Sequence, residues 1–536
     1  ADRAVAPVLP VGHRAAVLRA ARAVGIPVPA AGFDHRAAAA AIRPLAGPDI
    51  RPVWEASRWA ELPLLAQAAR LEPEGGHLAR AEAWLAAWLR VNPPFRGPNW
   101  ACGQEAALRA LHLALAGRLL GGLGPGAAPL AALLRRRIAA APLYALAQDN
   151  NHPLSEAAGL IACAVIEGDR PAAGRAARRL TPSVLRLFGP DGGFAQDSPA
   201  YLRLALDVLA VADLLHPLEA PARERLAAAA RLLHRLAAPG SGALPRLGHQ
   251  DGSRFADLSL AGEHDARGSA ERALRIFAGA SAWPEDPGCA WLALPPRQER
   301  PPEAREWRGA GLWLRREGTT RAVLRLGPPA VNGRRFRPSH ADALHLDLWD
   351  GDDALLPDAG TGAYNPGAGD GWWLDHFRGT AAHNTVAFDE ADQMPVVSRF
   401  LHARWLARGD LPAGGWVRDH RGNRHAREVR VEGRVWTVTD SVSGPFGTFA
   451  LRWHLAGPGW AATPDGAAGP RGRIALSADG LLVLSLAEGW CSPSYGVVGR
   501  RCLLVARARA PTSRVRTVIT LPGHLPVESG ALGAHC

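Results

Sequence analysis

The chain of 536 residues has no lysine, one methionine, four tyrosines and six cysteines. Because lysine is absent, all 62 basic residues are arginines, which exceed the 50 acidic residues by 12. The cysteines, at positions 102, 163, 289, 491, 502 and 536, form no CxxC pair and no regular metal-ligand spacing. They are therefore predicted to be small buried apolar residues, and they leave the cellular compartment open.

Long apolar runs are also missing. The longest, such as 37–42, are interrupted by Arg, Pro or Gly well short of the roughly 18 to 20 residues that cross a bilayer. No membrane span is predicted. With 48% apolar residues, the chain is long enough for two or three domains with buried cores, which excludes a disordered or fibrous protein.

The arginine excess has two interpretations that do not exclude each other. A GC-rich genome favours Arg, Ala, Gly and Pro codons. Alternatively, guanidinium groups line a groove for a polyanion, since they bind carboxylate and sulfate in a bidentate fork. Nucleic acid is not predicted as the partner, because the arginines are spread along the chain and no nucleic-acid module is recognisable.

The hydrophobic pattern changes once along the chain. Residues 12–290 carry apolar side chains at spacings of three and four, as in HLARAEAWLAAWLRV, which predicts amphipathic helices in pairs. Short alternating segments such as REVRVEGRVWTVTDSV follow and predict antiparallel strands. We therefore predict a helical domain over residues 1–292, a proline-rich linker over 293–307 and an antiparallel β-sandwich over 308–536, with a cleft between the domains.

The first candidate cluster is the segment Asn150, Asn151, His152, followed by Ser155 and Glu156 at the start of an apolar helix. Ser155 and Glu156 also suit plain helix capping. A double Asn followed by His, however, concentrates hydrogen-bond donors and acceptors at one exposed end. This pattern favours a functional turn.

The second cluster is the polar loop that leads from Asp191 to Tyr201. A tyrosine is more often a packing residue than a catalytic one, but Tyr201 follows a polar loop at a helix start, where the positive end of the dipole favours a phenolate. Because a free tyrosine has a pKa near ~10, a catalytic role requires a neighbouring cation that lowers it, or concerted protonation of a leaving group.

The third cluster lies in the predicted sandwich. His340, Asp358 and His383 stand near three neighbouring segments and form a candidate His/Asp/His zinc set. Scattered His and Asp residues usually do not form a site, so this pattern is weak evidence alone.

Together these segments resemble a known family. Asn-Asn-His with Glu156, the DGG...QDSPAY segment, SHADALHLDLW, LLPDAGTGAY and FRGTAAHNTV occur in the order typical of the heparinase II/III and alginate-lyase superfamily. The stretches WEASR (54–58) and NWACGQE (99–105) with Arg109, and the later LRWHL, are similar to further signatures of it. The resemblance spans residues 50 to about 455.

The resemblance implies an incomplete (α/α) toroid followed by an antiparallel β-sandwich, and a polysaccharide lyase that cleaves a uronate-containing polysaccharide by β-elimination. Tyr201 falls on the catalytic acid/base tyrosine, and Asn151 or Asn150 on the carboxylate-neutralising asparagine. His152 falls on a histidine that is a base in some branches. No cofactor is required for the chemistry.

The resemblance also implies roles in the sandwich. His340, Asp358 and His383 match positions that hold a structural zinc in some members and are catalytic or substrate-binding in others. Asn151, His383 and an arginine, Arg109 or Arg254, are expected to hold the uronate carboxylate. The remaining predicted substrate-binding residues are Asn150, Glu156, Trp100, Gln250, Arg378 and Asn384, and Trp372 and Trp373 are candidates for stacking on sugars, with core packing as the alternative for all three tryptophans.

One position departs from the family pattern. Many relatives have His-x-His before the Asp of the SHADAL segment, and the first of these positions is Pro338 here. Either His340 or His152 then takes the role of the missing histidine, or the activity is altered or lost.

Two other functions stay open from the sequence. A glycoside hydrolase on the same architecture would need two carboxylic acids, for which the candidates are Glu105, Glu156, Asp197 and Asp251. A non-catalytic glycan-binding or polysaccharide-assembly protein is the other alternative. The family resemblance favours a periplasmic or secreted location without excluding the cytoplasm, and no oligomeric state is predicted.

Overall fold

A computed structural model describes residues 7–523 of the chain. Its first part, up to Trp291, is helical apart from isolated bridges. The helices are α1 (Val11–Ala23), α2 (Arg51–Glu55), α3 (Glu61–Leu71), α4 (His77–Val91), α5 (Gly103–Leu120), α6 (Ala127–Ile138), α7 (Pro142–Gln148), α8 (His152–Ile166), α9 (Arg170–Leu187), α10 (Pro199–Leu215), α11 (Ala220–Leu236), α12 (Arg267–Ala273) and α13 (Pro287–Trp291), with α14 (Trp372–Arg378) inserted later among the strands; shorter helical turns cover Ala39–Ala41, Pro98–Trp100, Leu274–Ala278 and Thr380–Ala382.

Small apolar side chains allow the central helices to pack closely. Helix α5, which is buried along most of its length, contacts α3, α6 and α8, and α8 contacts α9 and α10. At Gly159 of α8, an added Cβ would lie 2.5 Å from the Cβ of Ala107 on α5. Glycine is therefore required where these two helices approach. No helix within residues 7–523 has the combination of length and apolarity that crosses a membrane.

The second part is made of antiparallel strands. They are β1 (Glu306–Gly309), β2 (Leu312–Glu317), β3 (Thr320–Arg325), β4 (Ala330–Val331), β5 (Arg334–Arg335), β6 (Leu346–Asp350), β7 (Asp353–Leu356), β8 (Val386–Phe388), β9 (Val396–Ser398), β10 (Leu401–His402), β11 (Ala407–Leu411), β12 (Gly414–Arg418), β13 (Arg424–Glu432), β14 (Val435–Ser443), β15 (Thr448–Leu455), β16 (Ala461–Thr463), β17 (Gly466–Gly469), β18 (Gly472–Ala478), β19 (Leu482–Ser494), β20 (Val497–Arg509) and β21 (Arg514–Thr520).

These strands form three larger sheets and two hairpins. The sheets have the orders β1-β2-β3-β6-β7, β11-β12-β13-β14-β21-β18-β17-β16 and β19-β20-β15-β8, and the hairpins are β4-β5 and β9-β10. Buried side chains from all three sheets, including Trp313, Trp436 and Trp453, share one core. The predicted class, a helical domain followed by an antiparallel sandwich, is confirmed.

The two parts pack directly against each other. Leu314 and Val323 of the first sheet belong to the same apolar cluster as the helices. Arg325 of β3 forms buried ion pairs with Asp342 of its own part and with Asp197, which lies just before α10. The junction is therefore held by core packing and by a buried charge network.

Candidate active site

A cavity of about 580 Å³ opens between the helical part and the sheets. Its walls come from the start of α2, the starts of α5 and α8, the loop before α10, the loop after α11 and three segments of the sheet-rich part. The polar and aromatic residues that line this central cleft include Asp49, Arg51, Arg58, Gln104, Glu105, Arg137, Tyr144, Asn150, Asn151, His152, Glu156, Gln196, Asp197, Tyr201, His249, Asp251, Arg337, Tyr364 and Phe400.

The Asn-Asn-His turn is built by local hydrogen bonds. The Oδ1 atom of Asn150 accepts from the backbone N–H of His152 at 2.9 Å, where α8 begins. Asn151 is buried, and its Nδ2 donates to Oε1 of Gln104 at 2.8 Å. Its backbone N–H donates to Oε1 of Gln196 at 3.1 Å. The carboxamide of Asn151 is thus fixed at the cleft wall.

His152 presents a neutral imidazole at the cleft. Burial lowers its pKa to about 4, against the opposing charge of Glu105. Its Nδ1 atom is buried and has no hydrogen-bond partner among the described residues. An imidazole that is unprotonated at neutral pH can accept a proton, which is the requirement for a general base.

Tyr201 belongs to a short hydrogen-bonded network of buried polar side chains. Its Oη donates to Oδ2 of Asp251 at 2.6 Å, and Nε of Arg51 donates to the same oxygen at 2.7 Å. Burial and the charge of Asp251 raise the pKa of Tyr201 well above its ordinary value, while Arg51 opposes the rise. Of the two alternatives that the sequence left open, a pKa lowered by a cation does not fit, because the partner of the hydroxyl is a carboxylate, and concerted protonation of a leaving group is the alternative that remains. The phenol stays protonated at neutral pH.

His249 joins the cleft and was not predicted as a site residue. Its ring lies edge-to-face against His340 at 5.5 Å, Tyr364 at 5.4 Å and Phe400 at 5.5 Å between centroids. Burial lowers its pKa to about 4. His249 therefore supplies a second neutral imidazole in the cleft that Tyr201 also lines.

The scarcity of tyrosine was an unused signal. Of the four tyrosines in the chain, Tyr144, Tyr201 and Tyr364 line the cleft. The fourth, Tyr495, packs on Tyr364 at 5.1 Å between ring centroids, accepts from its backbone N–H and donates to Asp49 at 2.6 Å. All four tyrosines therefore lie at or beside the cleft, and the scarcity of this residue type was the only trace of that in the sequence.

Most carboxylates of the cleft are paired. Glu105 receives Nε and Nη2 of Arg58 at 2.8 and 2.9 Å. Asp251 is held by Arg51, and Asp197 by Arg325. Glu156 has no ion pair among the described residues, and burial raises its pKa to about 7. Burial also raises the pKa of Asp197 to about 6, although Arg325 opposes the rise. Of the four carboxylic acids that a hydrolase could use, Glu105 and Asp251 are therefore held as carboxylates by arginines, and only Glu156 and Asp197 have raised pKa values.

His340, Asp358 and His383 do come together. Their potential ligand atoms lie within 4.8 Å of one another, and Nδ1 of His383 is 2.9 Å from Oδ2 of Asp358. The Nδ1 of His340 and the Nε2 of His383 are buried without hydrogen-bond partners in the described part of the chain. Two free imidazole nitrogens beside a carboxylate fit a zinc ion.

This group lies beneath the cleft and does not line it. The residues that face the cavity there are Pro338 and Ser339, whereas His340 is 2% exposed and His383 is 0% exposed. The predicted direct contact of His340 and His383 with a substrate is therefore not supported, because their imidazoles are covered. His345, 3.6 Å from Asp358, extends the buried group.

Two residues predicted to bind substrate lie in the helical core instead. Trp100 is fully buried and donates to the carbonyl of Asn92 at 3.1 Å. The guanidinium of Arg109 is surrounded by the rings of Trp59, Trp88 and Trp100 at 5.1 to 5.8 Å, and burial lowers its pKa to about 10. Neither side chain reaches the cleft, because both are enclosed by packed helices.

Other predicted substrate contacts also lie elsewhere. Asn384 is buried and its Nδ2 donates to the carbonyls of Leu346 and Leu356, which ties neighbouring strands together. Arg378 pairs with Asp375 at the surface. Arg254 is exposed, 3.7 Å from Asp257.

The predicted aromatic platform and Gln250 are displaced from the cleft as well. The ring centroid of Trp372 lies 4.8 Å from that of Trp490 and 6.3 Å from that of Trp373, on the surface of the sheet-rich part. Gln250 lines a different cavity at the domain junction. Of the predicted contacts, the structure places Asn150, Asn151, His152, Glu156 and Tyr201 in the central cleft.

Comparisons with known proteins agree with this architecture. Residues 299–525 match the family model described as Heparinase II/III-like, C-terminal. The chain is similar to a crystal structure of heparinase III, with a TM-score of 0.65 and 16% identity over 87% of this chain and 76% of that chain. It is similar to heparan sulfate lyase from Pedobacter heparinus, with a TM-score of 0.58 and 16% identity over 88% and 77% of the two chains.

A more distant similarity is to a xanthan lyase from Paenibacillus, with a TM-score of 0.55 and 11% identity over 95% of this chain and 57% of that chain. No curated protein sequence matches the chain. At these identities the structural similarities establish a shared fold, a helical domain joined to an antiparallel sandwich.

Proposed function

We propose that this chain, whose residues 299–525 match the heparinase II/III-like family model, is a polysaccharide lyase that cleaves a uronate-containing acidic polysaccharide by β-elimination. The match supports the resemblance that the sequence motifs predict, and two of the structural neighbours of the chain are named as lyases. The roles of individual residues rest on the geometry of the central cleft.

One observation carries the proposal. A protonated Tyr201, held by Asp251, shares one cavity with the fixed carboxamide of Asn151 and with neutral imidazoles. Elimination needs an acid, a base and a donor to the substrate carboxylate, and it consumes no water. A hydrolase needs two carboxyl groups, and the cleft carboxylates are mostly tied to arginines.

The substrate carboxylate is proposed to bind beside Asn151. Among the cations lining the cleft, Arg137 and Arg337 have only backbone carbonyls as hydrogen-bond partners in the described structure, so neither charge is neutralised by a carboxylate. Donors aimed at the uronate carboxylate stabilise the negative charge that develops on it when the adjacent carbon loses its proton. Asn151, with Arg337 or Arg137, provides such donors.

Two kinds of side chain then transfer the protons, one as the base and one as the acid. A neutral imidazole, His152 or His249, takes the proton from the carbon next to the carboxylate. The electron pair forms the new carbon–carbon double bond, and the glycosidic bond to the leaving sugar breaks. Tyr201 donates its proton to the departing oxygen, because its raised pKa keeps the hydroxyl protonated.

The buried histidine group is proposed to have a supporting role. His340, Asp358 and His383 would hold a zinc ion, which would supply a structural cross-link between segments of the sheet-rich part. Pro338 and Ser339 separate these residues from the cavity.

The test is turnover of a panel of acidic polysaccharides, followed by ultraviolet absorbance of the unsaturated uronate that only elimination produces. We expect the absorbance to rise with at least one polymer. Tyr201→Phe should lower kcat/KM by about 10²- to 10⁴-fold, the range for removal of a general acid. Tyr144→Phe is the matched control, since Tyr144 lines the same cleft, is 60% exposed and has no hydrogen-bond partner among the described residues.

Two results would contradict the proposal. New reducing ends without ultraviolet absorbance would indicate a hydrolase. Binding of a polymer without any turnover, in wild type and Tyr201→Phe alike, would indicate a glycan-binding protein.

A further inference from the structure

A second cavity, of about 270 Å³, lies at the junction of the helical and sheet-rich parts. Segment 249–253 borders both this cavity and the central cleft. His249 and Asp251 of this segment line the central cleft, Gln250 and Gly252 line the second cavity, and Ser253 lines both.

The second cavity carries uncompensated positive charge. Four arginines line it, and two of them are satisfied: Arg471 pairs with Asp353 at 2.7 Å, and Arg203 donates to Ser269 and to the carbonyl of Glu263. Glu263, the other acidic residue of the lining, is 3.0 Å from His264. The remaining two arginines have no carboxylate partner.

These two are Arg246 and Arg501. Arg246 is half-buried and forms no hydrogen bond or ion pair within residues 7–523, and Arg501 donates only to the backbone carbonyls of Pro357 and Asp358. Burial lowers the pKa of Arg501, and the nearby charge of Arg246 lowers it further, while Asp358 and Asp347 oppose this without forming an ion pair with Arg501. Two neighbouring guanidinium groups that have no ion-pair partner among the described residues favour an anion, since guanidinium binds carboxylate and sulfate with directed hydrogen bonds.

Gln250, which lines the cavity, also has an unsatisfied acceptor. Its Oε1 is buried and has no hydrogen-bond partner in the described structure. A buried polar atom without a partner costs free energy, and rotation of the carboxamide toward the cavity would allow a sugar hydroxyl to satisfy it. The volume lies just below the roughly 300 to 1,000 Å³ typical of ligand pockets, which suits one sugar unit rather than a longer segment.

We propose that this second cavity binds a single acidic sugar unit, with its carboxylate or sulfate on Arg246 and Arg501 and a hydroxyl on Gln250. The site is distinct from the place where the bond is cut. Its identification as a subsite for the enzyme's own polymer rests on the proposed lyase function, whereas binding of an acidic sugar does not.

Titration calorimetry with D-glucuronate tests the site, with D-glucose as the neutral probe. We expect wild type to bind D-glucuronate and Arg246→Gln to bind it at least about tenfold more weakly, since a charge-assisted hydrogen bond is lost. Gln250→Leu should also weaken binding. Arg430→Gln is the charge-matched control, because Arg430 is exposed on β13 and lines neither cavity.

The outcomes of this experiment test binding at the second cavity separately from the proposed lyase activity. Equal affinity of wild type and Arg246→Gln for D-glucuronate, or binding of D-glucose as tight as that of D-glucuronate, would overturn the site even if polymer turnover is normal. Selective binding that Arg246→Gln removes supports the site even if no polymer is cleaved. On a cleaved polymer, a KM raised by Arg246→Gln supports the subsite, and an unchanged KM overturns the link to the polymer.

Discussion

The central cleft and the buried histidine group are built from similar parts, yet they differ in what surrounds their charges. In the cleft, Asp251 is shared by Tyr201 and Arg51 at a cavity wall. Beneath the cleft, Asp358 accepts from His383 and from the backbone N–H of Gly360, and it is completely enclosed.

This difference teaches how to separate a chemical role from a structural one. Both groups contain buried ionisable side chains with shifted pKa values, so a shifted pKa alone does not identify an active site. Exposure of the group to the central cleft is the observation that separates the two. A group at the cleft should control turnover with little effect on folding, and a group beneath it should control folding first.

The largest expected effect concerns the base. Either His152→Gln or His249→Gln should lower kcat/KM by about 10²- to 10⁴-fold, because only one imidazole removes the proton, while the other variant keeps most of the activity. Steady-state kinetics on the cleaved polymer separates the two. Thermal unfolding of both variants is the control for folding. If neither variant loses activity, a histidine is not the base.

The next effect is on stability. Asp358→Ala should lower the free energy of unfolding by about 3 to 5 kcal/mol, because it leaves buried histidines without their carboxylate. Urea denaturation measures this loss, and metal analysis of wild type and variant shows whether zinc is involved. Tyr201→Phe should lower the free energy of unfolding by only about 1 to 3 kcal/mol, because Asp251 keeps its ion pair with Arg51. An Asp358→Ala variant that is as stable as wild type would contradict the structural role of the buried histidine group.

The pH dependence of kcat/KM tests the protonation states proposed for the cleft residues. The base acts in its neutral form, and the pKa values of His152 and His249 are about 4. Activity should therefore be lost as pH falls through about 4, by about tenfold per unit below it. Tyr201 acts in its protonated form and its pKa is raised, so kcat/KM should stay level from about pH 5 to beyond the ordinary tyrosine pKa of ~10. A fall of kcat/KM between pH 7 and 9 would contradict this assignment.

The smallest effect on turnover is expected in the helical core. Arg109→Met should leave KM and kcat within about twofold, because Arg109 does not line the cleft. It should lower stability by about 1 to 3 kcal/mol, since the carbonyls of Ser57 and Asn99 lose their donor. Parallel kinetics and urea denaturation check both expectations. A large rise in KM would restore the sequence-based role of Arg109 in substrate binding.

Local sequence patterns predicted the fold class and part of the candidate site. Helical and alternating periodicities report which elements form, so the helical and sheet-rich parts were predictable. The Asn-Asn-His turn is also local, because Asn150 and His152 bond to each other at a helix start. Tyr201 was predicted from its motif and from its place after a polar loop at a helix start.

The remaining site residues depend on long-range packing. Arg51 reaches Asp251 across 200 positions of sequence, and nothing near either residue indicates the pairing. Trp100 and Arg109 stand beside family motifs, and only the packing of the helices shows that they are enclosed. His249 and Gln250 are adjacent in sequence but face different cavities, so composition cannot assign them.

The ion pair between Arg325 and Asp197 has a consequence for the integrity of the enzyme. Asp197 precedes Ser198, whose hydroxyl caps the helix of Tyr201 and donates to the carbonyl of His249. A strand of the sandwich thus supports the helix that carries Tyr201, the proposed proton donor. We therefore expect the helical part expressed alone to lose the alignment of Tyr201 with His249, so that activity requires both parts of the chain.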